Sequence, residues 1–345
     1  MEFLKNNLKN LSLNKLMVIM GAVASIFVII FFIWFWKGKN IIIDNEKNSA
    51  TIKNGLPTSL ITGMNCDNAN RRPIAVMISA DQVARPLSGI GEADITFEMP
   101  VTPGGVTRMM AVYQCSEPVG IGSVRSAREA FVPLAAGLNA ILAHWGGERG
   151  VLDELNSHII DNVDGMKYET TYFFRKPGIK EPQNGFTDFD KLLKGVADLK
   201  YSLKNNFAGY PHKSKNIDRN IANLADSVSI NYPAPFDIKW VYDSQDNNYA
   251  RIRGGQSEID KNTGSQVKTS VVIIMKTTGG IINKDYNTVS VSGQGDVEIY
   301  QNGIKMTGTW KKDASKLDSK LYFYDDSNNE IKFTPGSIWV EITTE

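Results

Sequence analysis

The sequence predicts an α/β (or α+β) amino-terminal domain with a mixed sheet, followed by a β-rich carboxyl-terminal domain, behind an amino-terminal transmembrane helix. Three observations predict this order. A run of 21 residues without charge lies near the start of the chain. Apolar runs alternate with helical patterns from about residue 71 to residue 200, and short strand-like runs replace that alternation beyond residue 231.

The uncharged run Leu16–Trp36, LMVIMGAVASIFVIIFFIWFW, is long enough to span the hydrocarbon core of a bilayer. It ends in tryptophans and shows no small-residue cleavage pattern, which indicates an uncleaved signal anchor. Three lysines and a single acid precede it, so the positive-inside rule favours a cytoplasmic amino terminus. We therefore predict a single-pass protein of the cell membrane with the bulk of its chain extracytoplasmic.

Between residues 67 and 215 we predict the α/β domain, after a cytoplasmic tail at 1–15, the anchor at 16–36 and a polar stalk at 37–66. Apolar runs predict its strands and a 3.6-residue period predicts its helices. The predicted strands are Ile74–Ser79, Ala93–Met99, Thr107–Cys115 and Ala140–Trp145. The predicted helices are Ser126–Leu138, Val151–His158 and Thr187–Leu199.

The β-rich domain is predicted at residues 225–345. Short alternating runs such as IKWVYD, KTSVVIIMK, KLYFYDD and SIWVEI are separated by turn residues. The segment QNG at Gln301–Gly303 is typical of a tight β-hairpin.

Composition excludes several classes of function. The formal net charge is +1, whereas a general nucleic-acid binder shows a basic excess, so we expect no nucleic-acid partner. The sequence carries no P-loop, no dinucleotide-binding glycine motif, and no zinc-binding pattern among its three histidines and two cysteines, so we expect no cofactor and no metal.

Outside the cell Cys66 and Cys115 either pair as a disulfide or stay as two separate buried thiols.

Arginine usage is the main sign of a binding site. The chain holds 27 lysines and 11 arginines, yet residues 55–166 contain seven arginines and no lysine. Arginine is preferred over lysine where a planar fork must bind a carboxylate or phosphate. We therefore expect a shared anionic ligand, with internal pairing to acidic residues such as Glu98 and Glu129 as the alternative.

Ser126 and Glu129 form an S-x-x-E pair that predicts a helix start, where free N–H groups would add to the charge of Arg125 and Arg128. Arg108, at the start of a predicted strand, and Arg85, in a loop, would close the site from other sides. The predicted ligand-binding set is Arg85, Arg108, Arg125, Ser126, Arg128, Arg175 and Asn184.

If the protein is instead an enzyme on the same ligand, its acid or base would be Asp94, Glu98 or His144. The first two lie in a predicted strand, and His144 ends another beside two glycines. A third possibility is a scaffold that holds cell-wall proteins through the edges of the β-rich domain.

The same segments resemble a known family. The runs RRPIAVMISADQVARPLSGIGEADITFEMPVTPGGVTRMMAVYQ, IGSVRSARE, AHWGGE and FFRKPGIKEPQNGF resemble the YerB-like family of bacterial envelope lipoproteins, as does GTWKK…FTPGSIW downstream. The resemblance implies two domains and an extracytoplasmic location, and it implies no reaction, because the domains have no known function. The chain departs from the family in two ways. A helix replaces the usual lipidated cysteine, and Gln183–Asn184 stands where the family tends to have His-Asn.

From these observations we expect a membrane-anchored protein that binds an anionic envelope ligand, such as a cell-wall glycan or a polymer phosphate, in an arginine-lined pocket. An envelope hydrolase or transferase and a scaffold for cell-wall enzymes are the alternatives. Its expected partners are that ligand or cell-wall proteins, with the membrane reached through the amino-terminal helix.

Overall fold

The computed structural model of the chain describes residues 52–53, 55–214 and 226–344. The predicted tail, anchor and most of the stalk lie outside these residues and stay predictions. Within the described ranges, no helix has both the length and the apolar character needed to cross a membrane.

In its described residues, the first half of the chain holds ten strands, four short α-helices and two single-turn 3-10 helices at Gln82–Ala84 and Ile90–Glu92. The strands are β1 (Ile52–Lys53), β2 (Leu56–Pro57), β3 (Ile74–Ser79), β4 (Ile95–Pro100), β5 (Thr107–Tyr113), β6 (Ile121–Gly122), β7 (Ile141–His144), β8 (Asn162–Asp164), β9 (Phe174–Arg175) and β10 (Gly185–Thr187). The helices are α1 (Phe131–Gly137), α2 (Arg149–Asn156), α3 (Gly165–Tyr168) and α4 (Phe189–Asp198).

The second half consists of strands and loops in its described residues. The strands are β11 (Ser227–Ile230), β12 (Ile238–Asp243), β13 (Asn248–Arg253), β14 (Gln256–Ser257), β15 (Lys268–Thr269), β16 (Val271–Thr277), β17 (Gly279–Ile281), β18 (Asn287–Val289), β19 (Gly293–Gln301), β20 (Ile304–Lys312), β21 (Tyr322–Tyr324) and β22 (Ile338–Thr344).

A mixed sheet of ten strands joins the two halves. Its order is β21-β20-β19-β16-β22-β4-β5-β3-β7-β8, so five strands come from each half. The two halves meet where β22 pairs in parallel with β4. Both faces of the central strands are covered, which is why all six residues of β3 are buried and its sequence is apolar without alternation.

The predicted strands of the first domain are confirmed as β3, β4, β5 and β7. The predicted hairpin is confirmed as well. β19 and β20 are joined by Asn302 and Gly303, with φ of 58° and 73°, the left-handed pair that a two-residue turn of this kind requires.

One helix prediction is partly wrong. The predicted helix Ser126–Leu138 begins only at Phe131, after a turn at Glu129 and Ala130, and the residues before that turn bond to neighbouring strands. The other two predicted helices form with shifted bounds, as α2 and α4. At the start of α4 the side chain of Asp188, rather than the predicted pair of Thr187 and Asp190, caps the helix by accepting from Lys191 N.

Candidate functional site

The candidate site lies at one edge of the ten-stranded sheet. Strands β3, β7 and β8 run parallel and end at this edge, and Arg108 on the antiparallel β5 lies opposite Ser79, the last residue of β3. The carboxyl ends of parallel strands are the usual place for ligands in open sheets with helices. The segment between β6 and α1 carries Arg125, Ser126 and Arg128, and hydrogen bonds to Met77 and Trp145 hold it against the ends of β3 and β7.

The segment Arg125–Arg128 is held in an extended form by this edge. Arg125 N donates to Met77 O at 2.8 Å, and its carbonyl accepts from Trp145 N at 3.0 Å. Ser126 Oγ donates to Trp145 O at 3.2 Å, so it caps no helix. The prediction of an anion at a helix start is therefore wrong in its structural basis, because bonds to distant strands outweigh the local capping signal. Hydrogen bonds to Met77 and Trp145, rather than a helix start, therefore fix the position of this segment.

Three arginines converge here, and we call Arg108, Arg125 and Arg128 the arginine cluster. Each donates to a backbone carbonyl: Arg108 to Ser126 O at 3.1 Å, Arg125 to Pro182 O at 3.2 Å, and Arg128 to Ala127 O at 2.9 Å. In each, the buried Nε has no hydrogen-bond partner, and none of the three forms an ion pair with any described residue. By contrast, carboxylates pair with Arg71, Arg72, Arg175, Arg251 and Arg253.

The electrostatics of the cluster follow from burial and mutual repulsion. Arg108 is 3% exposed, and burial lowers its pKa well below the usual value, with Arg125 and Arg128 lowering it further. Burial is also the main cause that lowers the pKa of Arg125 and of Arg128. Arginine keeps its proton through shifts of this kind, so the cluster holds three positive charges that no described carboxylate pairs with.

Arg85 belongs to a different neighbourhood. Its guanidinium donates to Ala80 O at 2.7 Å, and burial followed by the charge of Arg253 lowers its pKa. The charges that act on it are those of a buried ion cluster on the other side of β5, and none of the three arginines is among them. The structure therefore does not bring Arg85 into the site that the sequence predicted for it.

Asp81 is a site residue that the sequence analysis missed. It lies two residues after the end of β3, close enough to raise the pKa of Arg108 and Arg125 but without forming an ion pair with either. Its Oδ2 accepts from Gln183 Nε2 at 2.5 Å and from Ser79 Oγ at 3.2 Å. The available signal was its position, an acid in the loop directly after a buried parallel strand.

Two cavities open beside the cluster, and we name them by their arginines. The Arg125 cavity has a volume of about 490 Å³ and is lined by Trp145, Met166, Arg175 and Glu181, among others. Gly146 shapes its wall with φ of 69°, a backbone conformation that favours glycine.

The Arg128 cavity has a volume of about 250 Å³ and lies between the two halves of the chain. Pro100 and Pro133 come from the first half, and the segment 287–292 comes from the second. The ring of Tyr286, in the loop between β17 and β18, lies 4.8 Å from the guanidinium carbon of Arg128. This contact orients Arg128 without neutralising it.

Arg175 and Asn184 lie near the Arg125 cavity but differ from the cluster. Arg175 pairs with Glu169 at 2.6 Å and with Glu181 at 3.3 Å, and it donates to Asn184 Oδ1 at 2.9 Å. Its guanidinium also stacks on Trp145 at 4.8 Å. Its charge is already matched, so it shapes the cavity wall.

The structure does not bring the three acid or base candidates to the cluster. Asp94 accepts from the backbone N–H groups of Gln114 and Cys115 at 2.6 and 2.9 Å. Glu98 is fully buried and accepts from Arg253 through both carboxylate oxygens, at 2.7 and 2.5 Å, and also from Arg251. His144 is fully buried, and its ring nitrogens lie 2.8 Å from Gly146 O and 3.2 Å from Asn162 Oδ1. All three are engaged inside the protein.

The two cysteines lie at the other edge of the sheet. Cys66 and Cys115 are joined by a disulfide, with a Cα–Cα distance of 5.8 Å. Cys115 follows the carboxyl end of β5, whereas Arg108 lies near its start. The disulfide therefore ties the segment around Cys66, which precedes β3, to the end of β5, far along that strand from Arg108.

Comparisons with known proteins agree with this architecture. Residues 61–202 match the N-terminal domain, and residues 228–340 the C-terminal domain, of a family described as "Protein of unknown function (DUF3048)". The candidate lipoprotein YerB of Bacillus subtilis (strain 168) is 28% identical over 291 residues, which is 83% of this chain and 86% of the relative. The crystal structure of the YerB protein from Bacillus subtilis superposes with a TM-score of 0.75 at 26% identity, covering 84% of this chain and 97% of that one.

Proposed function

The chain belongs to the DUF3048 family, whose description names no activity, and from this premise we propose that it is a membrane-attached extracytoplasmic protein that binds an anionic cell-envelope polymer through the arginine cluster. The observation that carries the proposal is the set of three buried or half-buried arginines without an acidic partner. An arginine on the surface would be solvated, and five buried or half-buried arginines of the described residues are paired with carboxylates. Arg85 is half-buried and also forms no ion pair with a described residue, but it donates to the carbonyls of Ala80 and Pro235 outside the cluster.

The energetics favour a ligand. Removing a charge from water costs several kcal/mol per ion unless a partner compensates it. Arg108 is almost fully buried, yet it donates only to Ser126 O and its Nε has no described partner. Buried charged groups without a compensating partner occur preferentially at functional sites. A phosphate or carboxylate bound in the cavities lined by Arg125 and Arg128 would supply an acceptor and a countercharge to those two arginines. Its negative charge would also act on the buried Arg108, which lines neither cavity.

The location outside the cell is inferred from two sources. The apolar run Leu16–Trp36 would supply a membrane anchor, and the Bacillus subtilis relative carries a lipoprotein name. The two chains would then reach the same surface of the membrane by different attachments. A disulfide between Cys66 and Cys115 suits that oxidising compartment.

Binding is better supported than catalysis. A hydrolase or transferase acting on such a polymer needs an acid or base within reach of the reacting atoms. Asp94, Glu98 and His144 are buried and engaged by other partners within the protein. Asp81 is a carboxylate beside Arg108 and Arg125, and its partner Gln183 has an amide that neither gains nor loses a proton at neutral pH. Glu181 in the Arg125 cavity is paired with Arg175, and Glu129 lines the Arg128 cavity.

The test uses conservative variants. Arg125→Lys and Arg128→Lys keep the charge but lose the bidentate fork, so binding should weaken by about 1–3 kcal/mol while the melting temperature stays within a few degrees. Binding is measured by cosedimentation of the full-length chain with purified cell walls, before and after chemical removal of their phosphate polymers.

Arg149→Lys is the matched control, because Arg149 is exposed, forms no ion pair with a described residue and lines neither cavity. It should bind walls like the parent. Walls that fail to retain the parent chain, or cluster variants that melt far below it while binding normally, would reject the proposal.

A further inference from the structure

Arg125 and Arg128 face two separate cavities although they are only three residues apart. The backbone between them is extended and rises by about 3.3 Å per residue, which places their Cα atoms about 10 Å apart. The residues that line the Arg125 cavity and those that line the Arg128 cavity have no member in common. A single small anion therefore reaches one of the two arginines at a time.

Arg108 connects the two cavities electrostatically. Its Nη1 donates to the carbonyl of Ser126, the residue that follows Arg125. Its pKa is lowered by both Arg125 and Arg128, so its guanidinium lies within the field of each. Its hydrogen bond to Ser126 places its positive charge next to the segment that joins the two arginines, although Arg108 itself lines neither cavity.

Polar residues form part of each lining. In the Arg128 cavity they include Asn287, Thr288, Ser290 and Ser292, which are residue types that bind hydroxyl groups. Glu129 lies at its rim and Glu181 in the Arg125 cavity, the latter already paired with Arg175. Hydroxyl-binding groups next to arginines suit a ligand in which anionic groups alternate with a hydroxylated backbone.

Resting on the proposed function, we propose that the two cavities are adjacent subsites for one linear polymer of phosphodiester-linked polyols, with one phosphate at Arg125 and a later phosphate at Arg128. The positive charge of the buried Arg108 stabilises the part of the polymer between these two phosphates. Asp81 lies close enough to Arg125 to disfavour a third anion there. Its Oδ1, which accepts no hydrogen bond from a described residue, is free for a hydroxyl of the polymer.

The test compares a short and a long ligand by titration calorimetry, with the full-length protein in detergent. The probes are glycerol 3-phosphate and a synthetic glycerol phosphate hexamer. Because the second contact becomes intramolecular, the hexamer should bind at least about 30-fold more tightly than the monomer. Arg125→Gln and Arg128→Gln should each weaken hexamer binding by about tenfold or more, and Arg149→Gln should leave it unchanged.

Three outcomes would overturn the inference. The monomer binds as tightly as the hexamer, or only one of the two arginines affects the hexamer, or a polyglutamate chain of equal charge competes as well as the hexamer does. Circular dichroism of each variant checks that it is folded, and Arg125→Lys and Arg128→Lys serve if a glutamine variant is not. A chain that sediments with cell walls but ignores both probes retains the proposed function and loses this inference, whereas a chain that ignores walls as well loses both.

Discussion

Glu98 on β4 and Glu341 on β22 are register partners on adjacent parallel strands, and Arg251 binds both carboxylates. Arg251 Nη1 lies 2.5 Å from Glu341 Oε1, and its Nε lies 2.6 Å from Glu258 Oε2. Arg253 binds Glu98 and Glu258 from the same strand. These five residues form a buried ion cluster at the junction of the two family domains. Two neighbouring glutamates would repel each other here without the arginines.

The ion cluster predicts unequal effects of two substitutions. Two arginines face three carboxylates, and burial together with the charge of Glu98 raises the pKa of Glu341. Glu341→Gln resembles the protonated form and keeps an acceptor for Trp240 Nε1, so the free energy of unfolding should change by less than about 1 kcal/mol. Arg251→Met leaves three carboxylates with one arginine and should cost about 3–5 kcal/mol. Urea denaturation measures both, and equal losses would contradict this account.

Stability should fall in acid through Glu258. Arg253 and Arg251 outweigh its burial and lower its pKa from 4.5 to about 2. A carboxyl whose pKa is lower in the folded state stabilises the protein above the unfolded value, and this contribution is lost as the pH falls from about 4.5 to about 2. Glu258→Gln should be less stable at pH 7 and should lose less further stability over that range. Melting temperatures recorded from pH 7 to pH 2 test this, and parallel curves for parent and variant would refute it.

We expect Arg108 to lower the free energy of unfolding of the free protein and to strengthen polymer binding. Arg108→Met removes a buried charge without an acidic partner and keeps most of the volume, so the free energy of unfolding should rise by about 1 kcal/mol or more while polymer binding is lost. The matched control is Arg72→Met. Arg72 is also buried but pairs with Asp161 and donates to Asn139 O at 2.6 Å, so its loss should destabilise the protein by about 1–3 kcal/mol. A lower stability for both variants would speak against an unpaired Arg108.

The disulfide should contribute strongly to folding. It closes a loop with a sequence separation of 49, for which the chain-entropy model gives about 3–4 kcal/mol. The double variant Cys66→Ser with Cys115→Ser should lose that amount and should leave the register of β5 unchanged. Intact mass after alkylation, with and without reductant, counts the thiols in exported protein. Two alkylated cysteines without reductant would mean that the bond does not form in the cell.

The predicted anchor can be tested in cells. If Leu16–Trp36 spans the membrane with a cytoplasmic amino terminus, protease added to cells stripped of their walls should digest the carboxyl-terminal domain. A cytoplasmic marker protein must stay intact in the same sample. Protection of the domain until the cells are lysed would reverse the predicted orientation.

Much of the local structure was present in the sequence. Uninterrupted apolar runs predicted β3, β4, β5 and β7 because strands buried on both faces leave no room for alternation. Asn302 and Gly303 predicted a hairpin because few residues adopt left-handed backbone without strain. The preference for arginine over lysine in residues 55–166 pointed to the domain where the arginine cluster is found.

Tertiary structure alone decided which arginines act together. Arg108 on β5 lies next to the segment with Arg125 and Arg128 because hydrogen bonds to Met77 and Trp145 hold that segment against the ends of β3 and β7. Arg251 and Arg253, which no sequence pattern distinguished, are neutralised by Glu98, more than 150 positions earlier in the chain. Tertiary bonds also overrode the capping signal at Ser126, since Met77 and Trp145 hold that segment extended. Local propensities are worth about 1 kcal/mol or less per residue, so contacts between distant strands prevail wherever the two conflict.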